Sequence, residues 1–149
     1  MVAHVTARPT SVAATLGGTG PGSVSAYSGA SAVLAGLASE AGFTPLEFLD
    51  AALSGCLVLS VRIAARKHGW GERLRRVDVV VTHEKAPDEP SRVAAFNSAF
   101  DIDGDFTEDE RATLIADAHE ICTVGNTFER GAVIRDVPFE AAPQKIAAV

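Results

Sequence analysis

The sequence predicts a single domain of helices and antiparallel strands, and three observations predict it. Residues 44–69 carry the start and stop signals of one long helix. Residues 75–102 alternate in the manner of a β-hairpin, and residues 1–40 read as short strands. At 149 residues the chain has one domain's length and can bury a core.

Residues 1–40 are rich in Val, Ala, Ser, Thr and Gly. They read as short strands near Val2–Ala7, Ser11–Leu16, Ser23–Tyr27 and Ala32–Leu37. The run Gly17-Gly18-Thr19-Gly20-Pro21-Gly22 joins the second strand to the third. It lacks the Gly-Lys-Ser/Thr of a phosphate loop and the spacing of a dinucleotide fingerprint, so a hairpin turn is its better reading.

The central helix is placed over residues 44–68, about 24 residues and roughly 36 Å at 1.5 Å per residue. Thr44 is the N-cap, Pro45 occupies the first helical position, and Glu47 closes a capping box. Arg66, Lys67 and His68 set positive charge against the negative end of the dipole, and Gly69 can end the helix in a left-handed conformation. Apolar residues go nearly all the way round from Leu46 to Ala65, so the helix is expected to be buried on most sides. Glu47, Asp50 and Arg62 argue against its spanning a membrane.

Next comes a hairpin, 75–102, with Arg75–Lys85 and Arg92–Ile102 as antiparallel partners across the turn Ala86-Pro87-Asp88-Glu89-Pro90. Asp101-Ile102-Asp103-Gly104-Asp105 resembles a calcium loop only superficially, because its glycine comes too early and the twelfth-position Glu is missing. It reads as a turn. Thr107 then caps a second helix over about Glu108–Ile121, with Glu110 completing another capping box. Thr123–Arg130 reads as a further short helix, Gly131 as its break, and 132–140 as a last strand.

A formal charge of −6 and a pI near 5.1 argue against a nucleic-acid partner, which needs a basic patch. The first nine residues lack the apolar run of a signal peptide, so the expected location is cytoplasmic, where two cysteines are kept reduced. No Cys-x-x-Cys or His-Glu-x-x-His occurs, and no metal is expected. From the residues alone, two readings of Cys56 and Cys122 are open. They are small buried hydrophobes, or they are a reactive thiol and a resolving thiol brought together by the fold.

The flanking residues carry a resemblance. Pro45-Leu46-Glu47-Phe48-Leu49-Asp50-Ala51-Ala52-Leu53-Ser54-Gly55-Cys56 resembles the Pro-x-Glu-Leu-Leu-x-x-Ala-Leu-x-Gly-Cys segment of the OsmC/Ohr family of thiol-dependent hydroperoxide reductases. Ala118-His119-Glu120-Ile121-Cys122-Thr123-Val124-Gly125-Asn126 is similar to that family's Ala-His-x-x-Cys-Pro-x-Ser-Asn. Together the two motifs cover about Thr44 to Glu140. Leu46 stands where the organic hydroperoxide resistance branch carries an acid, so the resemblance is to the OsmC-like branch. Thr123 and Gly125 replace the family's proline and serine.

The resemblance implies an α+β fold in which two chains intertwine as a homodimer, with the long helices in the middle and antiparallel sheets outside. It implies reduction of organic hydroperoxides in oxidative stress defence, with Cys56 attacking the peroxide and Cys122 resolving the product as a disulfide. A lipoyl group or another low-molecular-weight thiol would be the reductant, with no bound cofactor. It also implies an activating arginine from the N-terminal strands. Arg8 is the candidate and Arg130 the fallback, while Arg62 lies roughly 240° round the helix from Cys56 at 100° per residue. The alternative function is a non-catalytic relative that binds a small apolar ligand in the dimer cleft, with redox-sensing or structural cysteines. His119 either tunes Cys122 or is structural, His83 and His4 have no supporting neighbours, and Trp70 is expected to pack.

Overall fold

The computed structural model describes residues 11–142 and divides into two units, residues 11–47 with 134–142 and residues 48–133. The expected strand Val2–Ala7, together with His4 and Arg8, lies outside the described residues.

In the first unit, β1 (Val12–Thr15), β2 (Gly22–Ala26) and β3 (Ser31–Leu34) form an antiparallel sheet in the order β1-β2-β3. Val12 pairs with Ala26 and Thr15 with Ser23, so the glycine-rich run is the hairpin turn its composition predicts. The third strand stops earlier than expected. The Glu40 carboxylate takes the N–H groups of Gly36 and Leu37 at 2.7 and 3.1 Å, which removes them from any ladder. Phe43 returns beside Leu34 in a parallel bridge, and Gly42, at φ +137, passes where a Cβ would strike the Val33 carbonyl.

The strand expected over 132–140 is not formed. Residues 131–138 have no assigned ladder, and Phe139–Ala141 is a single 3-10 turn. Val133, Ile134 and Val137 have strand-forming side chains and are exposed, Ile134 at 93%. β-propensity expresses packing against neighbours, and no strand among the described residues pairs with this segment.

The second unit is built on α1 (Pro45–Lys67), whose first residues are counted with the first unit. The predicted capping box is present. Thr44 N–H donates to Glu47 Oε2 at 2.7 Å, and Glu47 N–H donates to Thr44 Oγ1 at 3.3 Å. At the other end Trp70 N–H reaches Ala65 O at 2.7 Å and Gly69 N–H reaches Arg66 O at 3.0 Å. With Gly69 at φ +74 these form a Schellman motif. Trp70 packs into the core and stacks on His68, with ring centroids 4.4 Å apart.

A hairpin follows, β4 (Leu74–Lys85) with β5 (Val93–Gly104), paired from Leu74↔Gly104 to Lys85↔Val93. Thr107 caps α2 (Glu108–Ile121) in a full capping box, and α3 (Thr123–Arg130) ends at Gly131 with φ +75. Asp101-Ile102-Asp103-Gly104-Asp105, read as a turn, instead continues β5 through Gly104 in register with β4, and only Asp105 lies beyond the ladder; Asp103 pairs with Arg75, and the Asp105 carbonyl accepts from Arg73. Arg73 also binds Glu110, a hydrogen bond that holds this carboxyl below the usual glutamate range, helped by the N–H of Thr107.

One core cluster joins Val61, Ala64 and Ala65 of α1 to Ile102, Phe106, Leu114 and Ala118. A second gathers Leu53, Leu57 and Cys122. By length and composition alone α1 would qualify as a membrane span, with a mean hydropathy of 1.7 over its best 18 residues, so Glu47, Asp50 and Arg62 do not exclude this as the sequence reading supposed. Its stripe Leu53-Leu57-Val61-Ala64 instead faces β4, β5 and α2, as in the core helix of a soluble fold. The expectation of burial on most sides is met on that face only. Ala52, Gly55, Leu59 and Ile63 are exposed in the single chain, Leu59 at 50% and Ile63 at 44%.

Candidate functional site

Cys56 and Cys122 come together although they lie far apart in sequence. Cys56 sits in the middle of α1, between its buried stripe and its exposed apolar face, and is half-buried. Cys122 is fully buried at the corner where α2 ends and α3 begins. Both are free thiols. Their side chains share the cluster around Leu53 and Leu57, and the Cys122 thiol is hydrogen-bonded to Cys56.

The electrostatics distinguish the two sulfurs. Burial pushes the Cys122 thiol up to about 11, and its hydrogen bond to Cys56 adds to the effect. Cys122 is the N-cap of α3, and its sulfur accepts the Gly125 N–H at 3.3 Å, an interaction that favours thiolate. Desolvation wins over that contact. Cys122 therefore stays protonated at neutral pH.

Around the pair, Phe96 of β5 stacks on Phe128 of α3 with centroids 4.7 Å apart, and His119 sits edge-on to Phe100 at 5.5 Å. Arg62 and Arg130 are both exposed, and Arg8, the predicted activating arginine, lies outside the described residues.

The reading of His83 as lacking a neighbour is corrected by the structure. Its Nδ1 lies 2.7 Å from Asp50 Oδ2, bridging β4 to α1, with 24% of the His83 and 18% of the Asp50 side chain exposed. Asp50 Oδ1 is buried with no hydrogen-bond partner among the described residues. A signal was present in the sequence. Asp50 is an acid on the stripe Leu53-Leu57-Val61, where a carboxylate needs a partner from another element. Gly125 was likewise read only as a departure from a motif, and here its backbone touches the sulfur.

Comparison with known proteins follows the same lines. The OsmC-like protein family matches residues 26–135. No curated protein matches the chain by sequence. Among solved structures, the chain is similar to an organic hydroperoxide resistance protein OsmC, described as a predicted redox protein, from Legionella pneumophila. The two are 21% identical, 80% of this chain and 88% of that one are covered, and the TM-score is 0.67. It is also similar to an OsmC-like protein from Mycoplasma pneumoniae (16% identical, 82% and 88% covered, TM-score 0.72) and to the organic hydroperoxide resistance protein OhrB of Bacillus subtilis (15%, 79% and 88%, 0.63). At these identities the likeness speaks for the fold, an α+β arrangement of antiparallel sheets and a long helix. Matched over most of its length, the chain belongs to the OsmC-like protein family.

Proposed function

We propose that the protein reduces organic hydroperoxides through Cys56 and Cys122 in defence against oxidative stress. The observation that carries the proposal is that the fold packs Cys56 against the buried cluster that holds Cys122. Cys56, as thiolate, attacks the distal peroxide oxygen; the O–O bond breaks, the alcohol leaves with a proton, and Cys56 becomes a sulfenic acid. The Cys122 sulfur then displaces water, forming the disulfide. Its proximity makes that second step effectively unimolecular. An external dithiol such as a lipoyl group, or another low-molecular-weight thiol, returns the pair to thiols. No bound metal or organic cofactor enters the cycle.

Arg8 is proposed as the cation that favours the Cys56 thiolate. The working form is proposed to be a cytoplasmic homodimer. The exposed apolar face of α1 beside Cys56, formed by Leu59, Ile63 and Ala52, supports a second copy as its cover.

The test is a stoichiometric titration of reduced protein with cumene hydroperoxide and with hydrogen peroxide, thiols being counted and the disulfide mapped by mass spectrometry. Wild type is expected to lose two thiols and to prefer the organic peroxide. Cys122→Ser is expected to stop at an oxidised Cys56, and Cys56→Ser to remain unreacted. A Cys56 that stays reduced under excess peroxide refutes the proposal and leaves ligand binding as the function to pursue.

A further inference from the structure

A cavity of about 430 Å³ opens between β5, α2 and α3, within the second unit. Its size suits a small ligand. Two periodicities build its walls. Phe96 and Ser98 stand two residues apart on β5 and share a face of the strand, while Phe128 and Glu129 are neighbours on α3. Leu53 of α1 and His119 of α2 add to the lining.

Three observations together select a class of ligand. The rings of Phe96 and Phe128 stack with centroids 4.7 Å apart and give the cavity an aromatic wall. Glu129 brings a carboxylate, and neither lysine nor arginine is among the described lining residues. The side chains of Ser98, His119 and Glu129 make no hydrogen bond or ion pair with another described residue, so their polar atoms are available to a ligand. An anion placed here would meet a carboxylate and the negative faces of two rings. A cation would be attracted by both.

We propose that this cavity binds a small primary amine with a flat apolar body, its ammonium toward Glu129 and its body against Phe96, Phe128 and Leu53. An ammonium has three donors and no acceptor. The Glu129 carboxylate, the Ser98 hydroxyl and the unprotonated nitrogen of a neutral His119 are all acceptors, and they stand on three different elements around one cavity. Leu53, Phe96 and Phe128 also pack in the cluster that holds the two thiols, but neither cysteine lines the cavity, and binding involves no thiol chemistry. The site stands whether or not the cysteine cycle does.

The test is a titration of full-length, reduced, isotopically labelled protein with phenethylamine, followed by the backbone amide shifts. Phenylacetate and phenethyl alcohol serve as anionic and neutral probes of nearly the same shape. Phenethylamine is expected to move the amides of Phe96, Ser98, Phe128 and Glu129 saturably, and phenylacetate to leave them in place. Glu129→Gln is expected to weaken the amine roughly threefold and to leave the alcohol unchanged, the size expected for a charge pair open to solvent. Phe128→Leu keeps an apolar side chain, loses the ring face, and is expected to weaken the amine by roughly threefold as well. Ser98→Tyr, which fills the cavity from its β5 wall, is expected to abolish the shifts. Equal binding of phenylacetate, an unchanged affinity in Glu129→Gln, shifts that map away from the cavity, or no shift at all with the amine overturns the proposal.

Discussion

The Asp50–His83 pair gives a sharp test of how α1 is held against the hairpin. Its 2.7 Å contact leaves both side chains mostly covered, and Asp50 Oδ1 is buried without a partner among the described residues. Replacing His83 with Leu strands a carboxylate whose second oxygen then also lacks its bond. Breaking a fully buried pair from one side costs about 3–5 kcal/mol, and an exposed pair about 0–1. With roughly a fifth of each side chain in solvent, about 1–3 kcal/mol is expected for His83→Leu. Asp50→Leu removes the charge itself, leaves only a half-buried imidazole behind, and should cost less. In the double variant an apolar pair of similar bulk spans the same gap, so a coupling energy of about 0.5–3 kcal/mol should appear as recovery. Urea unfolding of wild type, both single variants and the double variant at neutral pH measures all four corners. For a chain of this size each kcal/mol corresponds to about 2–4 °C in Tm. Strict additivity, or a His83→Leu protein within 0.5 kcal/mol of wild type, would refute the account of Asp50 as a paired anchor.

Three further outcomes are expected. Gly104→Ala should destabilise by about 1–3 kcal/mol in thermal unfolding, because its Cβ would collide with the Phe106 ring and the Arg73 carbonyl, neither of which can yield without moving the core. Thr107→Ala removes the acceptor for Glu110 N–H, at 3.2 Å, and should cost about 0.5–2 kcal/mol; the change would show as earlier melting of α2 by far-ultraviolet dichroism. Finally, an unfolded cysteine ionises near 9.0, whereas folded Cys122 does so only at about 11. The folded state thus prefers the neutral thiol, and the stability this gives is complete below pH 9 and is lost as pH rises through about 11, on the order of 3 kcal/mol at 1.36 per pK unit. Urea titrations of wild type and Cys122→Ala between pH 8 and 11 should converge on the alkaline side; parallel curves would contradict the desolvated thiol.

What could be read in the sequence was what is decided locally. Thr44, Pro45, Glu47 and Gly69 act within a few residues of themselves, and α1 begins and ends where they stand. The same holds for Thr107 and for the alternation of Val77, Val79 and Val81. Residues 132–140 have the side chains of a strand, but a strand is a relation to a neighbour, and that neighbour is not in the described chain. The two cysteine motifs pointed to a candidate site, and only the fold could show that Cys122 is the buried member of the pair. Asp50–His83 and the approach of Leu53 to Gly125 are contacts between distant elements. No periodicity encodes them.

Cys122 closes α2 and opens α3, so the first turn of α3 is capped by sulfur, where serine or aspartate would accept more strongly. In the proposed cycle the capping group of this corner is also a redox group. When Cys122 exchanges its S–H for an S–S bond, the acceptor of the Gly125 amide changes in charge distribution and in direction. The exchange of that single amide with deuterated solvent then reports the oxidation state of the protein from its backbone, without a probe attached to either thiol.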